Sequence, residues 1–593
     1  MNRRCRLVIE LFLLISGLAG GTSSAAPAIE TLARVHWLGL NRIAADTNAT
    51  SFMSAWRLPQ TAALEAQTLD KLSRWPGHGA TNAASALLRP LLDDLISSEF
   101  YLEISAPTNF PPLTGFRPST LDPRLSYTIA LHLPADRARL WQTNLAAALQ
   151  TLTGVHPVST KNGWVLSLKP VSVGTSRRDV PARETAGGRV APLNAARTAQ
   201  RAVPAGYSSP LDTLRTNLPP TNSPACIEFS RSGEWTLVGW GPGPNNLLSE
   251  FATRIARDEA SSTATNFWLE ADLNPSAIFS LSARGAGGEG RGEVGPKTIS
   301  TLNAQLSTLN HFHLTVTGLA GNVLTHGTLD FARPLNLSLP PWEFPTNLIH
   351  QPLAGFAAVR GFGPWLGARP AWQKLGLTPP PDQAYVWASQ LSLFELCFAA
   401  PLPGANNQLR HLADRIVSDA NAWLLTNNEG NLLWQTNPPA LAWNNAYLIA
   451  PNLKPASANG QDYVLGSLVQ RTGDDTNPPP AEILSAMFGT PNLVYYETEQ
   501  TGFRIDDDLY TSQLFRLIFH RPQLPATAGL WLKHLVPIMG GSTTFVTQTG
   551  PAQLSLSRSS TIGLTALELH LLADWVESPR FPYGLHTFST PRE

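Results

Sequence analysis

The stretch Leu125–Leu168, LSYTIALHLPADRARLWQTNLAAALQTLTGVHPVSTKNGWVLSL, carries the pattern that decides the fold. Apolar and polar residues alternate from Leu125 to Leu133, which predicts a half-buried strand. The strand-like segment Gly163 to Leu168 closes the stretch. The apolar residues between them recur with the spacing of one helix face and are Trp141, Leu145, Ala148, Leu149 and Leu152. This order predicts a strand–helix–strand unit.

A similar order follows further along the chain. It comprises a strand at Glu234 to Trp240, a helix at Asn246 to Arg257 and a strand at Asn266 to Asp272. An alternating hairpin then closes the first half, with strands at His311 to Thr317 and Asn322 to Phe331 joined by a Gly-containing turn. The repetition indicates that the strand–helix–strand unit occurs more than once.

The second half of the chain has a similar mixture of predicted strands and helices. Ala384 to Phe398 is strand-like, Asp506 to His520 is predicted to be a helix, and Thr543 to Ser557 is predicted to be a hairpin. The last helix begins at Thr565, and Glu568 three residues later completes a capping box. A further helix is predicted from apolar residues on one face, namely Leu409, Leu412, Ile416, Ala420 and Trp423.

Hairpins and helices mixed in one chain favour an α+β fold over a strictly alternating parallel one. We therefore expect repeated layered units of mostly antiparallel sheet with helices packed on one face. The units predict an N-terminal region at 27–333 and a C-terminal region at 353–593 that is a diverged duplicate of the first. Residues 174–224 are rich in Arg, Ala, Pro and Ser without a sustained period, which predicts a flexible insertion.

The N-terminus has the order of a secretory signal. Three arginines lie in Met1 to Arg6, Leu7 to Ala19 is mostly apolar, and Ser24-Ala25-Ala26 precedes Pro27. We expect a signal peptide over residues 1–26 and a periplasmic or extracellular location. The alternative is an uncleaved anchor, although the apolar stretch is short for the roughly 20 residues that span a bilayer.

The charge balance excludes one class of partner. The 593 residues have a formal net charge of zero, with 15% charged residues and 43% hydrophobic ones. Cleavage after Ala26 would remove three arginines and one glutamate from 43 basic and 43 acidic residues, leaving a net charge of −2. Nucleic-acid binding therefore lacks its main electrostatic contribution. After signal removal no segment is apolar enough to predict an integral membrane span.

Two longer segments resemble a group of uncharacterised exported bacterial proteins. They are AADTNATSFMSAWRLPQTAALEAQTLDKL at Ala44–Leu72 and VTQTGPAQLSLSRSSTIGLTALELHLLADWVES at Val546–Ser578. The resemblance spans most of the mature chain, and its motifs are of the packing and turn kind. The group has no assigned activity, so the resemblance implies an architecture and no chemistry.

Three histidines form the candidate metal site. His311 and His313 lie two residues apart on a predicted strand, so their side chains share one face and could take one metal ion. His326 could reach them from the other strand of the hairpin. The alternative is a solvated or interface face, which two or three histidines without a placed carboxylate do not exclude.

Acidic residues form the candidate catalytic site. Glu497 and Glu499 share one strand face, about 7 Å apart by strand rise, which is compatible with paired-carboxylate glycoside chemistry. Asp506, Asp507 and Asp508 follow. The alternative for the aspartates is a helix N-terminus, where negative charge is stabilised.

The remaining candidates favour structural roles. The loop Gly239 to Asn246 lies between a strand and a helix, but Pro242 and Pro244 remove two donors that a phosphate would need. The catalytic motifs Gly-x-Ser-x-Gly, Cys-x-x-Cys and His-Glu-x-x-His are missing from the sequence.

Cys226 and Cys397 could form one disulfide or remain two buried thiols. The tryptophans on helix faces, Trp141, Trp423 and Trp575, are expected to pack in cores.

The sequence therefore favours an exported, non-enzymatic binding or structural module of the cell envelope, with a possible envelope protein partner. It assigns no catalytic, cofactor-binding or metal residue and no cofactor. The first alternative is a secreted hydrolase with its acidic site around Glu497 to Asp508, which requires a concave pocket and perturbed pKa values there. The second is an assembly component, which requires an exposed apolar patch.

Overall fold

The computed structural model describes most of the chain. The described residues are 29–74, 82–107, 125–168, 225–242, 247–256, 267–275, 308–390, 395–426, 430–444, 450–469, 477–518, 520–579, 581–582 and 584–588. Within them lie 13 α-helices and 20 strands of one antiparallel sheet, which confirms the α+β fold class. The predicted signal peptide at 1–26 and the predicted insertion at 174–224 lie outside the described residues.

The strands of the first half are β1 (Ile29–Trp37), β2 (Phe100–Pro107), β3 (Ser126–His132), β4 (Val158–Ser159), β5 (Gly163–Leu168), β6 (Ala225–Ser232), β7 (Trp235–Pro242), β8 (Leu269–Leu273), β9 (Leu309–Leu319) and β10 (Asn322–Phe331). Those of the second half are β11 (Leu353–Arg360), β12 (Gln383–Ser389), β13 (Leu396–Pro401), β14 (Asn431–Thr436), β15 (Pro439–Asn444), β16 (Asn452–Ala458), β17 (Gln461–Ser467), β18 (Leu493–Gln500), β19 (Gly541–Gly550) and β20 (Gln553–Ser560).

The helices of the first half are α1 (Leu40–Ile43), α2 (Thr50–Trp56), α3 (Pro59–Arg74), α4 (Asn82–Ser97), α5 (Ala135–Thr153) and α6 (Leu247–Ala256). Those of the second half are α7 (Gly363–Gly367), α8 (Pro370–Leu375), α9 (Ala405–Thr426), α10 (Ala481–Gly489), α11 (Thr501–Ile518), α12 (Ala526–Leu535) and α13 (Ala566–Val576). Two short 3₁₀ helices lie at Thr47–Ala49 and His586–Phe588.

The sheet has a repeated strand order. From neighbour to neighbour the pairing runs β4-β5-β6-β7-β3-β2-β1-β8-β9-β10, then β20-β19-β18-β11-β12-β13-β17-β16-β15-β14. Counted outward from the β10–β20 junction, each strand of the first half corresponds to the strand numbered ten higher in the second. Helix α5 corresponds in the same way to α9, and α6 to α10.

Most helices cover one side of the sheet, which we call the helical face. In the first half, α4 and α5 pack there with Leu91 and Trp141 against Leu131, Trp164 and Phe229 of the strands. In the second half α9 packs there on β14 to β17. Over the β10–β20 junction the cover is a helical cluster whose core residues are Leu64 of α3, Ile505 of α11, Trp531 of α12 and Leu569 of α13.

In the part of the chain that the structure describes, the opposite side of the sheet carries two helices, one near each end. Helix α6 packs there on Tyr101, Ala130 and Leu237. At the other end, α10 and the extended segment 334–352 pack there, and Trp342 and Phe344 of that segment are buried in the core. Between them, on this same side of the sheet, no helix of the described chain packs on the side chains of β8, β9, β10 and β20, and we call this part of the surface the open face. Helices α1 and α2 pack on the other side, against Val316 and Val323.

Some sequence predictions agree with the structure and others are wrong. The capping box of Thr565 and Glu568 starts α13 as predicted. The predicted strand Ala384 to Phe398 is instead the two paired strands β12 and β13. The predicted helix at Asp506 begins earlier, at Thr501, because α11 follows β18 directly.

The cysteines and tryptophans have different outcomes. Cys226 and Cys397 are both buried and are not joined by a disulfide. Trp141 is buried as expected, and Trp575 packs against the helical cluster. Trp423 is 58% exposed, so its predicted core position is wrong. The next residue, Leu424, is 8% exposed, so the buried stripe of α9 passes through Leu424, and Trp423 lies beside that stripe.

Candidate functional site

The open face carries a group of two histidines and three carboxylates, which we call the His–Asp cluster. It consists of His311 and His313 on β9, Glu270 and Asp272 on β8, and Asp330 on β10. Strand register creates it, because β8 pairs Asp272 with His313 and β10 pairs Asp330 with His311. Directly opposed residues on neighbouring strands point to the same face.

Asp272 joins the two histidines. Its Oδ1 lies 2.8 Å from Nδ1 of His313 and 3.2 Å from Nε2 of His311. The other ring nitrogen of His311, Nδ1, lies 3.5 Å from Oδ2 of Asp330. The four side chains are 34–45% exposed, so solutes can reach them.

The structure places two of the three predicted histidines together and adds carboxylates beside them. His311 and His313 share a face as predicted, whereas His326 pairs with Thr315, away from the other two. Sequence reasoning did not place the three carboxylates, which are Asp330 of β10 and the pair Glu270 and Asp272 on the five-residue β8. Glu270 and Asp272 alternate along β8. Their two-residue spacing was a usable signal, but the pairing of β8 with β9 was not visible in the sequence.

The predicted acidic site lies on the helical face, beneath α11 and α13. Glu497 and Glu499 share a face of β18, opposite Thr544 and Ser542 of β19. The carboxylate of Glu499 accepts hydrogen bonds from the Ala566 backbone N–H at 2.8 Å and from the Thr501 hydroxyl at 2.9 Å. Glu499 therefore holds the start of α13 against the sheet.

The aspartates of α11 are paired with an arginine of the same helix. Arg504 donates to Oδ2 of Asp507 at 3.1 Å and to Oδ1 of Asp508 at 2.8 Å. Since α11 begins at Thr501, these aspartates lie past its first turn, and the predicted role at a helix N-terminus is wrong for them. Burial raises the pKa of Asp508 to about 6, and Arg504 opposes this rise.

The carboxyl group of Glu497 has a pKa close to neutral pH. Burial, and then the neighbouring carboxylate of Glu499, raise its pKa to about 7, while Arg558 acts in the opposite direction. However, Ser542 and Thr544 beside it are only 1% exposed. A glycosidase needs space for a sugar ring between its two carboxyl groups. The described residues leave Glu499 buried in a helix contact instead.

An apolar surface lies on the helical face of β12 and β13, and we call it the β12–β13 patch. It is formed by Val386, Leu396 and Phe398, which are 39–40% exposed. In register, Val386 pairs with Phe398, and Ala388 pairs with Leu396. The neighbouring helix α11 contacts β11.

The corresponding surface of the first half is covered. There, β2 and β3 take the places of β12 and β13, and their Phe100 and Ile129 pack against α4 through its leucines Leu88, Leu91 and Leu95. In the second half, the connection between β11 and β12 contains only α7 and α8, which have five and six residues. Trp372 and Leu375 of α8 pack beside α9 instead.

No protein-family model and no curated protein matches this chain. Two solved structures show a partial likeness, crystal forms I and III of a protein designated TP0453. Each is 9% identical to this chain, and they cover 41% and 39% of it and 100% and 99% of their own chains. The TM-scores are 0.21 and 0.20, which are too low for an inference about fold or function.

Proposed function

We propose that this protein is an exported, non-enzymatic binding module of the cell envelope, and that it docks an amphipathic helix of an envelope protein on the β12–β13 patch. The main support for the proposal is that a helix covers a surface of the first half, whereas the corresponding surface of the second half has exposed apolar side chains. Helix α4 covers β2 and β3 in the first half, and the patch on β12 and β13 has exposed Val386, Leu396 and Phe398.

The chemistry of the partner follows from what α4 does. Its three leucines recur at intervals of three and four residues and place one apolar stripe on the sheet. A partner helix that binds the patch needs the same spacing, with anchors at i, i+3 or i+4, and i+7. Contiguous exposed apolar residues on one face are typical of such interaction sites.

The proposed export rests on the sequence of residues 1–26. Among the described helices none combines the length and hydropathy needed to cross a membrane. The hydrolase alternative would use the raised pKa of Glu497 for general acid catalysis. It has less support, because its second carboxylate, Glu499, is engaged by the N-terminus of α13.

Site-specific photo-cross-linking in producing cells tests the proposal. A photoreactive residue at position 398 is compared with one at position 319, where Leu319 is 57% exposed at the β9–β10 turn. We expect position 398 to cross-link one envelope protein through a segment with helical apolar spacing, and position 319 not to.

A synthetic peptide of the captured segment then provides the binding measurement. We expect it to bind the purified mature chain and to lose at least tenfold in affinity with Phe398→Asp, while the matched surface change Leu319→Asp has no effect. Equal binding by the two variants, or capture of segments without helical spacing, would overturn the proposal. N-terminal sequencing of the envelope fraction should show Pro27 as the first residue if export and cleavage occur as proposed.

A further inference from the structure

We propose that the His–Asp cluster binds one divalent transition-metal ion of the zinc type, with His311, His313, Asp272 and Glu270 as its ligands. The site lies on the open face, on the other side of the sheet from the β12–β13 patch. The inference goes beyond the proposed function and does not depend on it.

The donor atoms are already close enough for one ion. Donor atoms of Glu270, Asp272 and His313 all lie within 4.8 Å of one another. The second histidine joins this group because Nε2 of His311 lies 3.2 Å from Oδ1 of Asp272. Zinc binds nitrogen and oxygen at about 2.0–2.2 Å, so ligands around a tetrahedral ion are roughly 3.4 Å apart. Small rotations of partly exposed side chains are enough to admit the ion.

The ligand types select the class of metal. Imidazole nitrogen suits zinc, copper, iron and nickel, whereas calcium and magnesium prefer oxygen ligands alone. Two histidines among four ligands therefore favour a transition metal. The carboxylates of Glu270, Asp272 and Asp330 supply negative charge to attract it. Arg34 is the cross-strand neighbour of Asp272, but it directs its Nε to Glu103 at 3.2 Å.

The surroundings hold the ligands in place. All four ligands lie on the paired central strands β8 and β9, where backbone positions are more precise than in loops. Gln553 of β20 donates to Oδ1 of Asp330 at 2.8 Å, and Oδ2 of Asp330 faces Nδ1 of His311. A carboxylate behind a histidine ring orients the other ring nitrogen toward the metal. Here that nitrogen is the one facing Asp272.

Zinc binding to the chelator-treated mature chain tests the inference by isothermal titration and by equilibrium dialysis with metal analysis. We expect one zinc ion per chain. His313→Ala and Asp272→Asn should each weaken binding by more than the roughly 10–100-fold that loss of a supporting partner costs. His326→Ala is the matched control, because it removes a histidine from the same face outside the cluster. It should bind as the wild type does.

Two further measurements keep the outcome decisive. Cobalt substituted for zinc should give the visible absorption of a four-coordinate nitrogen and oxygen site, and His313→Ala should abolish it. Thermal unfolding in chelator should be the same for the wild type and Asp272→Asn, which shows that the variant is folded. Zinc binding that is absent, or unchanged in both ligand variants, would overturn the inference, as would tighter binding of calcium or magnesium than of zinc.

Discussion

Glu497 makes the stability of the protein depend on pH in a direction opposite to that of a carboxylate whose pKa an ion pair lowers. Its pKa is raised to about 7, from an ordinary value of about 4.3 for a glutamate. Below both values the folded and unfolded chains hold the proton alike. Between them the unfolded chain releases the proton and the folded chain keeps it, so the free energy of unfolding falls as pH rises.

Glu497→Gln should remove this dependence, because glutamine resembles the protonated acid and does not ionise. At pH 8 we expect the variant to be more stable than the wild type by about 1–3 kcal/mol, and at pH 4.5 nearly equal to it. Urea unfolding at the two pH values measures both quantities. The exposed Glu234→Gln is the control and should show no such change. A variant that differs from the wild type equally at both pH values would contradict this account.

At the residue scale, sequence reasoning found pairs within a strand and missed pairs between strands. The shared faces of His311 with His313 and of Glu497 with Glu499 follow from the two-residue period of a strand. The partners Asp272 and Ala566 come from elements that are distant along the chain. The alternation of side chains along one strand does not show which strand pairs with it. That pairing decides whether a carboxylate faces an imidazole or a helix terminus.

Among the described strands, β14 is the last of the sheet in the second half, and a side chain protects its outer edge. Asn421 of α9 donates its Nδ2 to the Leu432 carbonyl at 2.8 Å and accepts from the Leu432 N–H at 2.6 Å. Unpaired backbone groups at a sheet edge are a template for pairing with another chain. Asn421 occupies both groups of one residue and thereby interrupts that template.

Asn421→Ala should expose this edge. We expect a loss of about 1–2 kcal/mol in the free energy of unfolding, from two backbone hydrogen bonds replaced by water. We also expect faster aggregation, measured by light scattering near the unfolding midpoint. Asn406→Ala, an exposed change on the same helix, should leave both unchanged. If the Asn421 variant aggregated no faster than this control, the protective role would be wrong.

Helices were the easier elements to predict. The apolar face of α5 and the capping box of α13 are complete local signals, and both helices form where expected. The boundary of α11 was missed because Thr501 follows β18 without a turn, so no breaker marks the change. The break between β12 and β13 was missed because apolar residues continue through both strands.

At the scale of the whole molecule, the described parts of the two halves contact each other at a strand pair and in the helical cluster. Strand β10 pairs with β20. In addition, α3 of the first half packs in the helical cluster, where Gln67 donates to Oε2 of Glu577 at 2.8 Å and Lys71 donates to the Val576 carbonyl at 2.6 Å. The two halves have the same strand order, their duplication stays a prediction, and these contacts join them in one sheet and one helical cluster.

The two cysteines can show whether the halves unfold together. Cys226 lies on β6 of the first half and Cys397 on β13 of the second. Both are buried and should resist a thiol reagent in the native protein. In rising urea we expect them to become reactive in one shared transition, measured by pulse labelling and mass spectrometry of the two peptides. Labelling of Cys226 at a clearly lower urea concentration than Cys397 would show that the halves unfold independently.

The pairing of β10 with β20 also has a consequence for the time at which the sheet can form during biosynthesis. Asp330 and Gln553, which bond across it, are 223 residues apart. At ~5–20 residues per second, a ribosome needs roughly 10–50 s between making one and the other. If the first half folded at once, β10 would wait through that interval as a bare edge in a crowded compartment. Export of the completed chain before it folds would move this pairing to a time after synthesis, when both strands already exist.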